Sequence, residues 1–272
     1  MDKAIQSRII TIGDELLIGQ VVDTNSAFIA RQFNKIGVEV ESTISIHDNE
    51  QQIMTAVRSA LRSCNITILT GGLGPTKDDI TKSALSHLFN AELIVDESVK
   101  DHIKELYVNR PEVINKLTET QWMVPDKAVI LPNRVGSAPL MIFERGKNRL
   151  VISLPGVPHE MEIAICEQVV PFIVQWMLKR HFNAFRIKHH NVIVKGIPES
   201  TLGILLSEWE DRLPSSFHLA YLPKLEESKI ILRLSAYFSN DNEEAMQKDF
   251  QNQIEKLKAL VGKYFVEEED FS

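Results

Sequence analysis

Two adjacent carboxylates, Asp78 and Asp79, follow closely on the glycine-rich run Thr70-Gly-Gly-Leu-Gly-Pro-Thr76. Glycines at 71, 72 and 74 let a backbone approach a ligand closely. If a helix starts just beyond them, its first N–H groups lack partners and point at an anion. Two carboxylates beside a phosphate repel it unless a divalent cation stands between them. The pattern therefore points to a metal-assisted phosphate or pyrophosphate site. A structural reading competes with it. Thr76 and Asp79 have the spacing of a capping box, and Asp78 would complement the helix dipole. On this stretch alone both readings stay open.

The elements that must position these residues alternate in type. A strand is predicted from Arg8 to Ile12. A helix follows the N-cap cluster Asp23-Thr24-Asn25, buries Ile29, Phe33 and Ile36, and stops at Gly37. Val38 to Ile46 reads as a second strand. A second helix is predicted to begin at Asp48, with Gln51 in the capping-box position and Ile53, Val57 and Leu61 on one face. The third strand, Ile66 to Thr70, leads into the glycine run. This order implies an α/β fold around a parallel sheet with right-handed crossovers. In such a sheet ligands bind beyond the carboxyl ends of the strands. Gly13-Asp14-Glu15, His47-Asp48 and the glycine run with its two aspartates then share one edge. The segment Arg149 to Glu160, again strand, Pro/Gly turn and helix start, joins them.

An insertion separates these parts. Asp96 to Tyr107 reads as a helix, Pro111 to Gln121 as a second short helix, and Pro139 to Leu154 as a hairpin about Arg145-Gly-Lys-Asn148. The loop Pro132 to Pro139 has the Pro/Gly punctuation of a segment that folds over a site. Its one cation, Arg134, is either a phosphate contact or a surface charge. After a helix from Glu160 to Met177 the order becomes strand, helix, strand, strand, helix: 186–195, 200–213, 217–222, 229–238 and 243–261. An α/β domain over 1–178 and a smaller α+β domain over 181–266 are expected. The second arrangement resembles a KH-like domain. The Gly-x-x-Gly loop that clamps RNA is missing, with Gly196-Ile-Pro-Glu199 nearby, so nucleic acid is not an expected partner. The acidic tail Val266 to Ser272 is expected to fray.

Composition narrows the classes further. The 272 residues are 44% hydrophobic and 25% charged, with a net charge of −7. That balance fits a soluble globular chain and argues against a dedicated nucleic-acid or anionic-membrane surface. No signal pattern opens the chain, and no apolar run reads as long enough to span a bilayer. The two cysteines, Cys64 and Cys166, are expected to be reduced core thiols, and the compartment the cytoplasm. Zincin, Cys-x-x-Cys, nucleophile-elbow, P-loop and dinucleotide patterns are all missing.

The motifs Ile12-Gly-Asp-Glu-Leu-Leu-Ile-Gly-Gln-Val-Val-Asp-Thr-Asn25, Thr70 to Thr81, Leu154-Pro-Gly-Val-Pro-His-Glu-Met161 and Gly196-Ile-Pro-Glu-Ser200 occur in this order over nearly the whole chain. In them the chain resembles the CinA family (competence/damage-inducible protein). Its first domain resembles the MogA/MoeA molybdopterin-binding fold, in which Asp79 and Asp48 would be the two site acids. The resemblance implies a metal-dependent ADP-ribose pyrophosphatase giving AMP and ribose 5-phosphate. Family members are often fused to a carboxyl-terminal nicotinamide mononucleotide deamidase. These residues lack it, so no deamidation is expected of them. On this reading Gly71, Gly72, Gly74 and Thr76 hold phosphate oxygens. Asp14, Asp48 and Asp79 are the candidate ligands of Mg, Mn or Co. Asp78, Asp79 and Glu15 are catalytic candidates, and Asn25, Asn133, Gly156 and Glu160 are expected to contact substrate. A homodimer is expected. The alternative is a non-catalytic nucleotide- or pterin-binding module with a regulatory role in competence or damage response. Two departures from the family pattern are Leu140 after Ala-Pro and the segment Lys224 to Ser228.

Overall fold

The computed structural model describes residues 5–182, 186–224, 227–238 and 243–271. Two compact units divide it, Met1–Asn34 with Val38–Phe182, and Lys35–Gly37 with Asn183–Ser272. In chain order the first unit runs β1 (Ile5–Ile12), the single turn α1 (Asp14–Leu17), α2 (Thr24–Lys35), β2 (Val38–Ile46), α3 (Glu50–Ser63), β3 (Ile66–Thr70) and α4 (Thr81–Phe89). It continues through β4 (Leu93–Val95), α5 (Glu97–Leu106), β5 (Met123–Pro125), β6 (Val129–Leu131), β7 (Leu140–Glu144), β8 (Leu150–Leu154), α6 (Pro158–Ala164) and α7 (Val170–Lys179).

Six strands form one sheet in the order β2-β1-β3-β8-β7-β6. The first four are parallel, while β7 and β6 run antiparallel. The sheet is therefore mixed, not wholly parallel, because the connection from Arg145 to Arg149 is too short for a crossover. Register decides where the loops emerge. Ile12 lies opposite Ile46, Thr11 opposite Thr70, and Thr70 opposite Leu154. Gly13, His47, Gly71 and Pro155 thus leave four neighbouring strands at one level. β3 and β8 are buried along their whole length, as central parallel strands must be. Beneath α3 and α4, Ile10, Ile12, Leu69 and Val151 pack with Ile53, Val57, Ala84 and Leu85.

Several local expectations change. The N-cap of α3 is Asn49, whose Oδ1 accepts from the Gln52 N–H at 3.1 Å, not Asp48. No helix begins at Thr76; α4 starts at Thr81 without a side-chain cap. The second insertion helix is two 3₁₀ turns, Pro111–Val113 and Thr118–Trp122. Between them the Asn115 and Thr118 side chains bond local backbone groups in competition with a continuous helix. Cys64 is buried at the end of α3, but Cys166 is exposed; both are free thiols. One stretch, Pro158–Lys179, is long and apolar enough to cross a membrane by length and composition, contrary to the sequence reading. Its Met161, Ile165, Val169, Ile173 and Trp176 are buried, as in a core helix. Within it Ile165–Val169 is a π turn just ahead of Pro171, which lacks an N–H for the α ladder.

The second unit carries β9 (Arg186–Lys195), α8 (Glu199–Glu210), β10 (Phe217–Lys224), β11 (Lys229–Phe238), α9 (Glu243–Val261) and β12 (Phe265–Phe271). Its antiparallel sheet has the order β10-β11-β9-β12. Leu202, Leu206, Phe250, Ile254 and Leu257 cover one face, against Val192, Val194, Leu232 and Leu234. The acidic tail is a strand, not a frayed end. Glu267 pairs with Lys229 at 3.1 Å, and Glu268 with His190 at 3.0 Å and Lys258 at 3.2 Å. Of the segment from Lys224 to Ser228, residues 225 and 226 lie outside the described residues.

Candidate functional site

The four strand ends enclose a cavity of about 520 Å³. Glu15, Asn25, Asp48, Gly71, Gly72, Gly74, Asp78, Asp79 and Gly156 all line it. Asp14, Thr76, Asn133 and Glu160 do not. The Asp14 carboxylate turns to His47 Nδ1 at 2.7 Å, on an exposed flank. Buried Asn133 donates its Nδ2 to Glu160 Oε2 at 2.7 Å, so these two hold the loop after β6 to the start of α6. Arg134 pairs with Glu167 at 2.5 Å, taking the surface-charge alternative.

Glycine is required where the turns meet. Gly71 has φ +111°, and a Cβ there would lie 2.1 Å from the Ile12 carbonyl oxygen. A Cβ on Gly156 would approach Gly71 Cα to 3.1 Å. Asn25 fixes the same contact from the side. Its Nδ2 donates to Thr70 Oγ1 at 3.0 Å and to the Gly156 carbonyl at 2.8 Å, and Thr70 Oγ1 donates to the Pro155 carbonyl at 2.8 Å. Two turns from distant parts of the chain are locked together by one amide and one hydroxyl. Thr70 is a site residue that sequence reasoning missed, since a buried threonine at a strand end has no pattern of its own.

Asp79 organises the glycine loop. Its Oδ1 accepts from the Gly74 N–H at 2.7 Å, and its Oδ2 from the Thr76 N–H at 2.9 Å and the Thr76 hydroxyl at 2.5 Å. The Gly71 N–H meanwhile donates to the Leu154 carbonyl at 3.2 Å. Three amides expected to hold phosphate are thus engaged within the protein, because no helix starts in the loop and a carboxylate closes it instead. What the cavity offers is acid. Asp48, released from capping by Asn49, is half-buried, and burial pushes its carboxyl up. The charges of Asp14, Glu15 and Asp79 push it the same way, against the Asp14 N–H that it accepts. Lys82, which does not line the cavity, donates Nζ to the Thr120 carbonyl at 2.5 Å. Burial lowers its ammonium to about 8, opposed by Asp79.

The donor set suits a hard cation. Among the described residues no three His, Cys, Asp or Glu groups stand together as a ready cage. A magnesium-like ion needs none, because it keeps several waters and takes one or two carboxylates together with substrate phosphate oxygens. Asp48 and Asp79 line the cavity and would supply such carboxylates; burial first, and then its acidic neighbours, hold the Asp48 carboxyl up, a cost that a cation would relieve.

Residues 8–175 match the family described as "Probable molybdopterin binding domain". A CinA-like protein of Flavobacterium psychrophilum is 39% identical over 260 residues, which are 94% of this chain and 59% of that protein. One of Cytophaga hutchinsonii is 40% identical over 265 residues, 97% of this chain and 61% of its own length. The chain thus spans about six tenths of the CinA-like relatives it matches. The crystal structure of a CinA of unknown function from Thermoplasma acidophilum superposes with a TM-score of 0.56 at 31% identity, covering 62% of this chain and 98% of that one.

Proposed function

The chain belongs to the CinA-like family, its first unit to the probable molybdopterin binding domain, and on that premise we propose that it is a metal-dependent hydrolase of a nucleotide-sugar pyrophosphate, ADP-ribose foremost. One observation carries the reading: four carboxylates, Glu15, Asp48, Asp78 and Asp79, share a glycine-lined cavity at the carboxyl ends of parallel strands. Acids so placed repel a phosphate unless a cation bridges them, and a cation bridging phosphates is what pyrophosphate cleavage requires.

Asp48 and Asp79 would hold the ion, which supplies charge neutralisation and a more acidic attacking water when bound. The protein groups do the rest. Asp79 keeps the glycine loop closed through Gly74 and Thr76, so substrate meets a fixed wall. The Asn25–Thr70 lock holds Gly156 against Gly71, keeping side chains out of the space a diphosphate occupies. Glu15 or Asp78, both on the cavity wall, accepts the proton that water loses. The water oxygen bonds to phosphorus as the bridging P–O bond breaks, leaving AMP and ribose 5-phosphate.

The test is incubation of the chain with ADP-ribose and Mg²⁺, Mn²⁺ or Co²⁺, with chromatography of both products. Equimolar AMP and ribose 5-phosphate are expected, dependent on metal. Asp79→Asn, which keeps one loop-closing oxygen, should cut the rate by about 100-fold or more, the scale of losing one preorganised transition-state contact. ADP-ribose that binds but is never cleaved under any metal would instead leave a binding module.

A further inference from the structure

A strand at the edge of a sheet shows unpaired N–H and C=O groups to any second strand, so proteins blunt their edges with charge, proline or bulges. Among the described residues the edge strands follow that rule, with one departure. β2 carries Glu39 and Glu41 beside a bulge in its register with β1. β10 ends on Pro223 and Lys224, and β12 carries Glu267, Glu268 and Glu269. β6 runs into Pro132, and β5 carries Pro125. β4 has none of these. It is Leu93-Ile94-Val95, paired with β5 alone, and its side chains are 41%, 48% and 45% exposed. A run of exposed apolar residues works against solubility unless it has a role.

The register shows which backbone groups of β4 face outward. Leu93 lies opposite Pro125, Ile94 opposite Val124 and Val95 opposite Met123. The Asp126 N–H donates to the Glu92 carbonyl at 2.9 Å, and the Asp96 N–H to the Trp122 carbonyl at 2.8 Å. Bonded residues alternate along an antiparallel pair, so Glu92, Ile94 and Asp96 turn their backbone groups toward β5. Leu93 and Val95 turn theirs out. Pro125 fits this pattern, since the residue opposite Leu93 needs no N–H toward β4.

We infer that β4 is a contact between two copies of this chain, paired antiparallel about Ile94. An edge with outward groups at 93 and 95 is its own complement. Leu93 of each copy meets Val95 of the other, and each of these two pairs exchanges both its N–H···O bonds. Ile94 faces its own counterpart, and such aliphatic cross-strand pairs stabilise a sheet. The two β4-β5 pairs, each marginal alone, become one four-stranded sheet. The symmetry favours a second copy over a foreign strand, because a two-fold contact needs the same groups on both sides. Glu92 and Asp96 of opposite copies come together at its ends, so salt strengthens the association by screening them. The contact is small and dissociates on dilution. None of its residues lines the acidic cavity, and the inference is independent of the pyrophosphatase reading.

Sedimentation of the full chain over a concentration series tests it. A two-chain species is expected, stronger in high salt. Ile94→Lys sets two lysines face to face and should weaken it at least about tenfold. Leu93→Pro removes an outward N–H, leaves the ladder to β5 alone, and should do the same. Both variants should melt with the dilute unchanged chain. Cross-linking gives the register. Cys166 is an exposed native thiol, so the background is Cys166→Ser. There Ile94→Cys should form a chain-to-chain disulfide under mild oxidation, because facing residues of a non-hydrogen-bonded pair stand about 4.5 Å apart at Cα. Leu93→Cys, which faces Val95 of the other copy, should not. A chain that is monomeric at every concentration overturns the inference and leaves the edge to a strand of another protein. So does a dimer that Ile94→Lys and Leu93→Pro leave intact, or equal cross-linking by Leu93→Cys and Ile94→Cys.

Discussion

At the residue scale, the site is built from side chains whose positions are poor for stability and good for chemistry. Asp48 is the clearest case. Its carboxyl is raised, first by burial and then by neighbouring acids, so the folded state disfavours its charged form. The stability it contributes is fully present below its unfolded value of about 3.9 and is lost as pH rises through its higher folded value. Asp48→Asn should therefore melt at a higher temperature than the unchanged chain at pH 7. The gain should shrink as pH falls toward about 4, as calorimetric scans at both pH values will show. Gly71 is the steric counterpart. Gly71→Ala combines positive φ with a 2.1 Å approach to the Ile12 carbonyl and should cost ~3 kcal/mol or more. Gly19→Ala, also at positive φ but with open space around it, should cost about 1 kcal/mol. Equal losses in urea titrations of the two variants would show that the turns do not depend on close approach. Gly71, Gly72 and Asp79 were singled out by type and spacing, while Asp48 read as a helix start and was named a site acid only through the family resemblance; all four line the cavity. Thr70 was not singled out, because its role rests on a partner 85 residues away.

At the scale of elements, strands and helices followed their hydrophobic periods, and the errors fell where side chains compete with backbone. The glycine loop reads as a helix start, since a hydroxyl three residues before a carboxylate is also the capping-box spacing. Asp79 in fact reaches back to Gly74 as well as Thr76, which closes a loop and delays α4 to Thr81. Asn49, not Asp48, caps α3, and that one-residue difference frees Asp48 for the cavity. The acidic tail looked disordered by charge alone, but it finds cations at Lys229 and Lys258 and a ladder along β9. Truncation after Tyr264 should leave β9 as an uncovered edge and promote association. Light scattering on warming should report aggregation at a lower temperature than for the full chain. A monodisperse truncated chain with an unchanged melting temperature would show that β12 is dispensable.

At the scale of the whole molecule, βαβαβ order was enough to place four loops at one sheet edge, and the structure has them at one register level. The antiparallel pairing of β7 with β8 was legible in the turn Arg145-Gly-Lys-Asn148, whereas β6, three residues long and half-exposed, has too short a pattern to read. Membership of the CinA-like family fixes the frame, while the chemistry of the cavity rests on its acids. The direct test is the metal-dependent rate of AMP release from ADP-ribose by Asp48→Asn at pH 7, against the unchanged chain. If these acids are placed for a cation and a diphosphate at the expense of stability, the variant loses about 100-fold or more in rate while melting at a higher temperature. A variant that cleaves ADP-ribose at the full rate would contradict the account, whatever its stability.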